Sequence, residues 1–593
     1  MLSQQFLSPR IGVLGARFYH HAAPVIQELK TKVQQLAARE QPKLLELKKK
    51  HKDVVIGEVT AGMVVGGMRG IKAMVTDTSD LDAIEGIRYR GMTLNEVNEA
   101  LPKAQPHGKV GLPEGAFWLL MTGEVPTPEV VSHLNEEMHR RSWLPADVIE
   151  SIDALPTSMH PMTQLSIGVL ALQPYSQFTQ KYSQGGLAKK DYWEYILDDA
   201  ITLIARVPQV AARIYRRSFH NNIHIETDPH LDWAGNFANM LGVSEDENFK
   251  EATRLYLAMH ADHEGGNVSS HTTHLVGSAL ADPFYAWAAG ICGLAGPLHG
   301  LANQECLNWL TKLKQYHERL GIEPSKESVA QYTKDTMAKG LVVPGYGHAV
   351  LRATDPRYAL EREFCLKHIA DDPMFKLSEV CFETIPPILQ ATGKIQNPYP
   401  NVDALSGTMM QHYGLKESDY YTVTFAVSRT LGVMAQLIWA RAMAMPIERP
   451  KSVTLEWLSK TVMDKAGGKS VGSDKMAAVG IPIKLLHESV GHTVTVEMQT
   501  GELYRGHLIH TEDNMNLLIA EVVVTRKDGK QTSLEQAYIR GSKIRYVVVP
   551  DNLRYAPMFK PRRQGAGSGW GSLTAKGGKG GKGGKGGKGK GRF

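Results

Sequence analysis

At 593 residues the chain is too long for one ordinary hydrophobic core, so its length predicts at least two independently folded units. The composition, 42% hydrophobic and 22% charged, is typical of a soluble globular protein, and no apolar run of about eighteen residues or more indicates a membrane span. The four cysteines have neither CxxC spacing nor a neighbouring histidine cluster, which argues against a disulfide framework and against a zinc site.

Residues 1–27 are predicted to form a mitochondrial presequence. They carry Arg10 and Arg17 but no acidic residue before Glu28, and apolar residues such as Phe6 and Ile11 lie between the charges. An acid-free, arginine-bearing, amphipathic start is typical of segments that direct a protein to the mitochondrial matrix. A disordered tail is the alternative.

Residues 28–468 are predicted to form a large all-α unit, because apolar residues recur at three- and four-residue spacing, as in 420–443, and glycine and proline separate the helices. The glycine-rich stretch 469–475 is a predicted linker. From 476 to 561 the pattern changes to short β-rich runs with a hairpin signal at 527–530, which predicts a small, strongly bent sheet.

The net charge of +6 is a local property of the C-terminal end. From Lys576 to Arg592 the chain carries six lysines, one arginine and no acidic residue, mostly in Lys-Gly-Gly repeats. Such a composition cannot bury a core, so 562–593 are predicted to be a disordered basic tail that binds RNA phosphates at most weakly.

Three segments of the helical unit each place one ionisable side chain beside a glycine or proline. These are His299 in Gly-Pro-Leu-His-Gly, His348 in Pro-Gly-Tyr-Gly-His and Asp403 in Pro-Asn-Val-Asp. Such breaks allow the backbone to approach a ligand closely. Each residue alone is also explained as a surface, turn or cap residue. Together with His263, in His-Glu-Gly-Gly-Asn, they indicate a ligand site.

These strings, with Gly-Gly-Met-Arg69-Gly, Asp-Pro-Arg357-Tyr, Val-Ser-Arg429 and Ile-Glu-Arg449-Pro, give the chain its resemblance to a known family. Residues 25–468 resemble the citrate synthases of the mitochondrial type. The resemblance implies an all-α fold with a large domain and a small domain at about 301–414. It also implies a homodimeric acyltransferase of the tricarboxylic acid cycle that condenses acetyl-CoA with oxaloacetate. No metal or cofactor is expected, since coenzyme A is part of the substrate.

The resemblance assigns a role to each motif. Asp403 would remove a proton from acetyl-CoA, His299 would hydrogen-bond to the thioester oxygen, and His348 would polarise the oxaloacetate ketone. We expect a neutral His299, because a helix is predicted to begin directly after it at Leu301. The expected oxaloacetate ligands are His263, Arg357, Arg429 and, from the partner subunit, Arg449. The expected coenzyme A contacts are Arg69, Val342, Gly345, Gly347 and Arg352.

Two positions depart from the family pattern. A further coenzyme A arginine has no counterpart, since its segment offers only Lys189 or Lys190, and Leu405 stands where the pattern has a histidine. The alternative within the enzyme class is 2-methylcitrate synthase, which differs mainly in the size of its acyl pocket. One methylene is worth only about 1–3 kcal/mol, so the motifs leave acetyl-CoA and propionyl-CoA open.

Residues 476–561 resemble a second family, the Sm core proteins of the D-three type. The strings are Asp-Asn514-Met-Asn516 and Tyr-Ile-Arg540-Gly541-Ser. The resemblance implies a short helix at about Ile481–Glu488 before a five-stranded bent sheet. It also implies a heptameric ring with other Sm core proteins in the spliceosomal small nuclear ribonucleoprotein, which acts in mRNA splicing. Asn514, Asn516, Arg540 and Gly541 would contact uridine-rich, single-stranded small nuclear RNA; the alternative is a turn and a strand-end charge.

The two resemblances predict different cellular locations. The enzyme belongs in the mitochondrial matrix, whereas an Sm subunit belongs in the cytosol and nucleus. The sequence therefore leaves open whether catalysis or RNA-binding assembly is the main function. We expect that the chain merges two neighbouring genes, because the second resemblance begins at Met476 as if at its own start. A chain that is cleaved, or that carries both functions, is the alternative.

Overall fold

A computed structural model describes residues 23–348, 350–393, 395–466, 481–512, 514–551 and 553. They belong to two compact units, Met1–Lys451 and Ser452–Phe593. Most of the predicted presequence, the whole of the predicted linker and the predicted basic tail lie outside the described residues. The predicted domain boundaries, including the small domain at about 301–414, stay predictions.

The first unit is predominantly helical where it is described, which confirms the predicted fold class. Its helices are α1 (Pro24–Lys50), α2 (Ala61–Val65), α3 (Leu94–Ala100), α4 (Pro113–Thr122), α5 (Pro128–Arg141), α6 (Ala146–Asp153), α7 (Pro161–Ala171), α8 (Gln177–Ser183), α9 (Tyr192–Phe219), α10 (Trp233–Leu241), α11 (Glu247–Met259), α12 (Val268–Ser278), α13 (Pro283–Leu294), α14 (Ala302–Leu320), α15 (Lys326–Ala338), α16 (Pro356–His368), α17 (Pro373–Ala391), α18 (Ser406–His412) and α19 (Tyr421–Ala442).

Local sequence explains where these helices begin. Proline at the first position opens α4, α13 and α16, where a missing backbone N–H costs nothing. The N-caps Asp282 of α13, Asp355 of α16 and Asn267 of α12 accept hydrogen bonds from backbone N–H groups of the first turn. The starts of α12 and α16 are therefore fixed by side chains, and the first turn of α16 carries the predicted site residue Arg357.

Helix α19 is the central element of the first unit, because every one of its residues is buried. The stretch Ser418–Ala442 is the one helix among the described residues that is long and apolar enough to cross a membrane, with a mean hydropathy of 1.3. Its apolar window is completely buried within the unit, and α19 packs against α9, α12 and α13. It is therefore a core helix.

A small antiparallel sheet interrupts the helices, which helical periodicity did not predict. Its strands are β1 (Ser79–Asp82), β2 (Gly86–Tyr89) and β3 (Met92–Thr93), in that order. Tyr89 is completely buried and its hydroxyl lies 3.1 Å from the carbonyl oxygen of Ala258. The sheet thereby ties the N-terminal part of the unit to the end of α11.

The second unit contains α20 (Leu455–Ala466), α21 (Ile481–Glu488) and five strands: β4 (Thr493–Met498), β5 (Leu503–Thr511), β6 (Leu517–Thr525), β7 (Gln531–Ile539) and β8 (Ile544–Val548). The strands form one antiparallel sheet in the order β7-β6-β5-β4-β8. Register shifts in the β4–β8 and β5–β6 pairs mark the places where it bends. The predicted helix and five-stranded sheet are confirmed.

Candidate functional site

The N-terminal end of α12 gathers three predicted site residues. The Asn267 side chain donates to the carbonyl oxygen of His263 at 2.8 Å and accepts from the Arg429 guanidinium at 3.3 Å. Ser269, in the first turn, lies against His299: its backbone N–H and its hydroxyl are 3.3 and 2.9 Å from Nε2 of the ring. A helix start, with its unpaired N–H groups, thus forms one wall of the site.

The Ser269 contact fixes the protonation of His299. Because a backbone N–H can only donate, Nε2 must carry a lone pair, and the proton of the neutral ring lies on Nδ1. Burial, followed by Arg429 and Arg357, lowers the pKa of His299 to about 3. The sequence argument invoked the helix after Leu301, but the N–H that reaches the ring belongs to α12.

His348 is fixed by the opposite ring nitrogen. Its Nδ1 accepts from the backbone N–H groups of Val350 and Leu351, each at 3.0 Å, so the neutral ring carries its proton on Nε2. Burial, followed by Arg357, lowers the pKa of His348 to about 4. The His348 ring meets that of His263 edge-on, with 5.6 Å between centroids.

Asp403 lies in the 3₁₀ turn Val402–Ala404, which packs against α14 and α16. Asn401 caps this turn by accepting the Asp403 backbone N–H at 3.0 Å. Burial raises the pKa of Asp403 to about 7, against the lowering effect of Arg357. Within the described chain no group donates a hydrogen bond to its carboxylate, which explains why Asp403 holds a proton so readily.

Two buried arginines face these groups. Arg357, in the first turn of α16, forms a bidentate pair with its own N-cap Asp355, at 3.0 and 2.6 Å. Arg429 donates from Nε to the carbonyl oxygen of His260 at 3.0 Å, and its guanidinium lies 4.7 Å from the Phe425 ring centroid. Burial lowers the pKa of Arg429 to about 10. Each arginine keeps further guanidinium N–H groups that could bind an anion.

His263 has no protein partner for its Nε2 among the described residues, although the side chain is buried. Its backbone N–H donates to Asp262 at 3.0 Å, and Asp262 also accepts from the Ser79 hydroxyl and the Gln436 amide. Buried polar atoms are almost always hydrogen-bonded in native proteins. The position of His263 therefore fits a site whose remaining partner is a ligand.

The predicted coenzyme A residues are only partly brought together. The Gly345 carbonyl accepts the Asn401 N–H at 2.9 Å, and the Gly347 carbonyl accepts from the Asn401 side chain at 3.0 Å. A Cβ at Gly345 would lie 2.7 Å from the Cys306 sulfur, so glycine is required there. Val342 is 82% exposed, and Arg352 donates to the carbonyl oxygen of Val350.

Two predicted residues make no polar contact with the described parts of a single chain. Arg69 and Arg449 are exposed, and neither has a hydrogen bond or ion pair within the described parts of the chain. Sequence reasoning missed Ser269 and Asp355 as supporting groups. Asp355 had a local signal, since aspartate followed by proline is a helix-start pattern. Ser269 had none, because its partner is thirty residues away.

In the second unit the residues that are predicted to contact RNA lie close to one another. The Asn516 side chain accepts the Gly541 N–H at 2.8 Å and donates to Glu512 at 3.0 Å, while Asn514 accepts the Asn516 N–H at 3.2 Å. A Cβ at Gly541 would lie 2.2 Å from the Asn514 carbonyl oxygen. The two loops are therefore adjacent, with Arg540 exposed beside them.

The profile described as "Citrate synthase, C-terminal domain" matches residues 67–451. The chain belongs to the citrate synthase family. "Citrate synthase 4, mitochondrial" of Arabidopsis thaliana is 51% identical over 431 residues, which are 73% of this chain and 90% of that protein. "Citrate synthase, mitochondrial" of Xiphias gladius is 51% identical over 440 residues, 74% of this chain and 92% of that protein.

Solved structures agree with this membership. The crystal structure of citrate synthase from Pyrobaculum aerophilum has a TM-score of 0.56 and 27% identity, and the match covers 68% of this chain and 95% of that one. The profile described as "LSM domain" matches residues 484–549. Both predicted resemblances are therefore confirmed: a citrate synthase is followed by an LSM (Sm) domain. Citrate synthases take coenzyme A as part of their substrate and need no cofactor.

Proposed function

We propose that the first unit condenses acetyl-CoA with oxaloacetate, using Asp403 as the base and two neutral imidazoles as hydrogen-bond donors. The observation that carries this mechanism is the pair of backbone contacts to the histidines. Backbone N–H groups occupy Nε2 of His299 and Nδ1 of His348, so each ring presents its other nitrogen as an N–H donor. Neutral donors of this kind stabilise a developing oxyanion without first giving up their proton.

The first step is enolisation. Asp403 takes a proton from the methyl group of acetyl-CoA, and its raised pKa makes it a stronger base than an exposed carboxylate. The charge moves to the thioester oxygen, where His299 donates from Nδ1. The proton ends on Asp403, and the electron pair of the C–H bond becomes the carbon–carbon double bond of the enol or enolate.

The second step forms the new carbon–carbon bond. The enol carbon attacks the oxaloacetate ketone, and His348 donates its Nε2 proton to the ketone oxygen as that oxygen becomes a hydroxyl. The proton that Asp403 took from the methyl group then returns the His348 ring to its neutral form and leaves Asp403 ionised again. Water then cleaves the thioester of the citryl-CoA product, so that the carbon–sulfur bond breaks and citrate and coenzyme A are released. Hydrolysis of the thioester makes the overall reaction favourable.

Oxaloacetate is a dianion, which explains the buried cations. Arg429 and Arg357 each retain guanidinium N–H groups, and His263 retains Nε2. Planar guanidinium groups bind carboxylates in a bidentate manner. Arg449, exposed in the single chain, would complete the site of a second copy.

Exposed apolar side chains support this homodimer. In the first unit Val55 and Ile56 are 79% and 70% exposed, and in the second unit Leu455 and Met463 are 78% and 73% exposed. Large apolar side chains exposed in runs along the chain are typical of surfaces that a partner covers. The relatives are named as mitochondrial proteins, which together with the predicted presequence supports a matrix location.

Substitution of the base tests the mechanism. Asp403→Asn should lower kcat by about 10²–10⁴, because enolisation loses its proton acceptor, whereas oxaloacetate binding should persist. In the unsubstituted enzyme, kcat/KM for acetyl-CoA should rise with pH up to about 7 and then level, because the base works only when ionised. Asp371→Asn, at an exposed carboxylate, is the control. Near-full activity of Asp403→Asn would exclude this residue as the base.

For the second unit we propose an Sm subunit that joins a heptameric ring with other Sm core proteins and binds uridine-rich RNA. Two observations support this. The loops of Asn516 and Gly541 are hydrogen-bonded to each other, which supports a common site for one base. Strands β7 and β8 end the sheet, and their unpaired edges are the groups that neighbouring subunits would pair.

A reconstituted ring tests the RNA contacts. Asn516→Ala with Arg540→Ala should weaken binding of a uridine-rich strand by about tenfold or more, since one stacked base is worth about 1–3 kcal/mol. Assembly should be unaffected, because the strand edges supply it. Lys530→Ala, in the β6–β7 turn, controls for the loss of a positive charge. Unchanged affinity of an intact ring for RNA would show that the contacts lie elsewhere.

We further infer that the two halves act as separate polypeptides in the cell, because their locations conflict. Cleavage after glutamate distinguishes the cases: the joined chain gives a peptide of residues 457–488, since no glutamate lies between Glu456 and Glu488. Separate products should instead give a peptide that starts at Met476 or Ala477. Repeated detection of the 457–488 peptide by mass spectrometry of native extracts would establish a working fusion.

A further inference from the structure

The carboxylate of Glu448, directly before Arg449, is held by two histidines of α12. His271 Nε2 lies 3.1 Å from one carboxylate oxygen, and His274 Nδ1 contacts the other. The Glu448 backbone N–H donates to the Ser278 hydroxyl at 3.0 Å. Side chain and backbone are thus both fixed, and the side chains of Glu448 and His274 are only 19% and 13% exposed.

These three partners share one face of α12. His271, His274 and Ser278 are three and four residues apart, a spacing that places side chains above one another on a helix. The first turn of the same helix holds His299 through Ser269 and Arg429 through Asn267. One rigid helix therefore touches the active site of its own subunit and the segment that carries Arg449.

The contact of Glu448 with the two histidines also affects the charge around Arg449. A carboxylate next to an arginine in the chain is a natural competitor for its guanidinium. The two imidazoles occupy both Glu448 oxygens, while Arg449 has no hydrogen bond or ion pair within the described parts of the chain. Arg449 thus lies at the surface, and Glu448 does not neutralise its charge.

We propose that Glu448, held by His271 and His274, is a positioning residue that presents Arg449 to the active site of the partner subunit. The proposal rests on the proposed function, in which Arg449 binds the oxaloacetate of the second copy. The histidines act on the neighbouring active site through Glu448 and Arg449, and none of the three positioning groups touches the substrate.

Steady-state kinetics give the first test. Glu448→Ala should raise KM for oxaloacetate about tenfold, the loss expected when one charge-assisted contact is weakened, and leave KM for acetyl-CoA within about twofold. Glu448→Gln, which keeps an acceptor for one histidine, should recover part of the loss. The double variant Glu448→Ala with Arg449→Ala should resemble Arg449→Ala alone, because the two residues act as one unit. Glu456→Gln, an exposed glutamate eight residues later, is the matched control.

Mixed dimers purified with two tags give the decisive test, with His348→Ala used to silence one site. In the first dimer, one subunit is unsubstituted and its partner carries Glu448→Ala and His348→Ala. The only site that keeps His348 is that of the unsubstituted subunit. It receives Arg449 from the partner, in which Glu448 is replaced, and KM for oxaloacetate should therefore rise. In the second dimer, Glu448→Ala and His348→Ala are on different subunits, and KM should be unchanged.

The outcomes distinguish a failure of the proposed Arg449–oxaloacetate contact from a failure of the positioning role of Glu448. If Arg449→Ala leaves KM for oxaloacetate unchanged, the proposed contact between Arg449 and oxaloacetate is itself wrong. If Arg449→Ala raises this KM but Glu448→Ala does not, only the positioning role is wrong. A raised KM in the second mixed dimer, in place of the first, would show that the α12 contact acts locally on its own subunit and would overturn the proposal.

Discussion

The hydrogen bond from the Ser269 backbone N–H to the His299 ring is the constraint on which the proposed active site depends. An N–H group cannot change its role with pH, so it holds Nε2 as an acceptor and leaves Nδ1 as the donor. A side-chain partner could rotate or titrate, whereas the first turn of a helix cannot. The same device recurs at His348, where two backbone N–H groups occupy Nδ1.

This arrangement supports the proposal that Asp403 acts as a base on the weakly acidic methyl carbon of acetyl-CoA. Burial raises the pKa of Asp403, while burial and neighbouring arginines lower the pKa values of His299 and His348 and so keep both imidazoles neutral. Asp355 and the His260 carbonyl hold the guanidinium groups of Arg357 and Arg429 in place, which supports their proposed role as substrate ligands. Burial and fixed polar partners thus determine the protonation of Asp403 and of the two imidazoles, and the positions of the two arginines.

The sequence allowed the architecture and much of the site to be predicted. Glycine and proline breaks beside His299, His348 and Asp403 pointed to three chain segments that the structure brings together around Arg357 and Arg429. Ser269 could not be foreseen, since its contact joins segments thirty residues apart through a backbone atom. The β1–β3 sheet was missed because its strands are only two to four residues long, too short for a periodicity. Among the described residues Arg449 has no hydrogen-bond or ion-pair partner, and its proposed role rests on a second copy.

The central claim is that His299 and His348 are neutral and carry their protons on opposite ring nitrogens. Neutron diffraction from deuterium-exchanged crystals of the citrate synthase near neutral pD locates those protons directly. The account predicts deuterium on Nδ1 of His299 and on Nε2 of His348, with the other nitrogen of each ring bare. Deuterium on both nitrogens of His299, or on its Nε2, would contradict the claim that the α12 N–H group sets the donor.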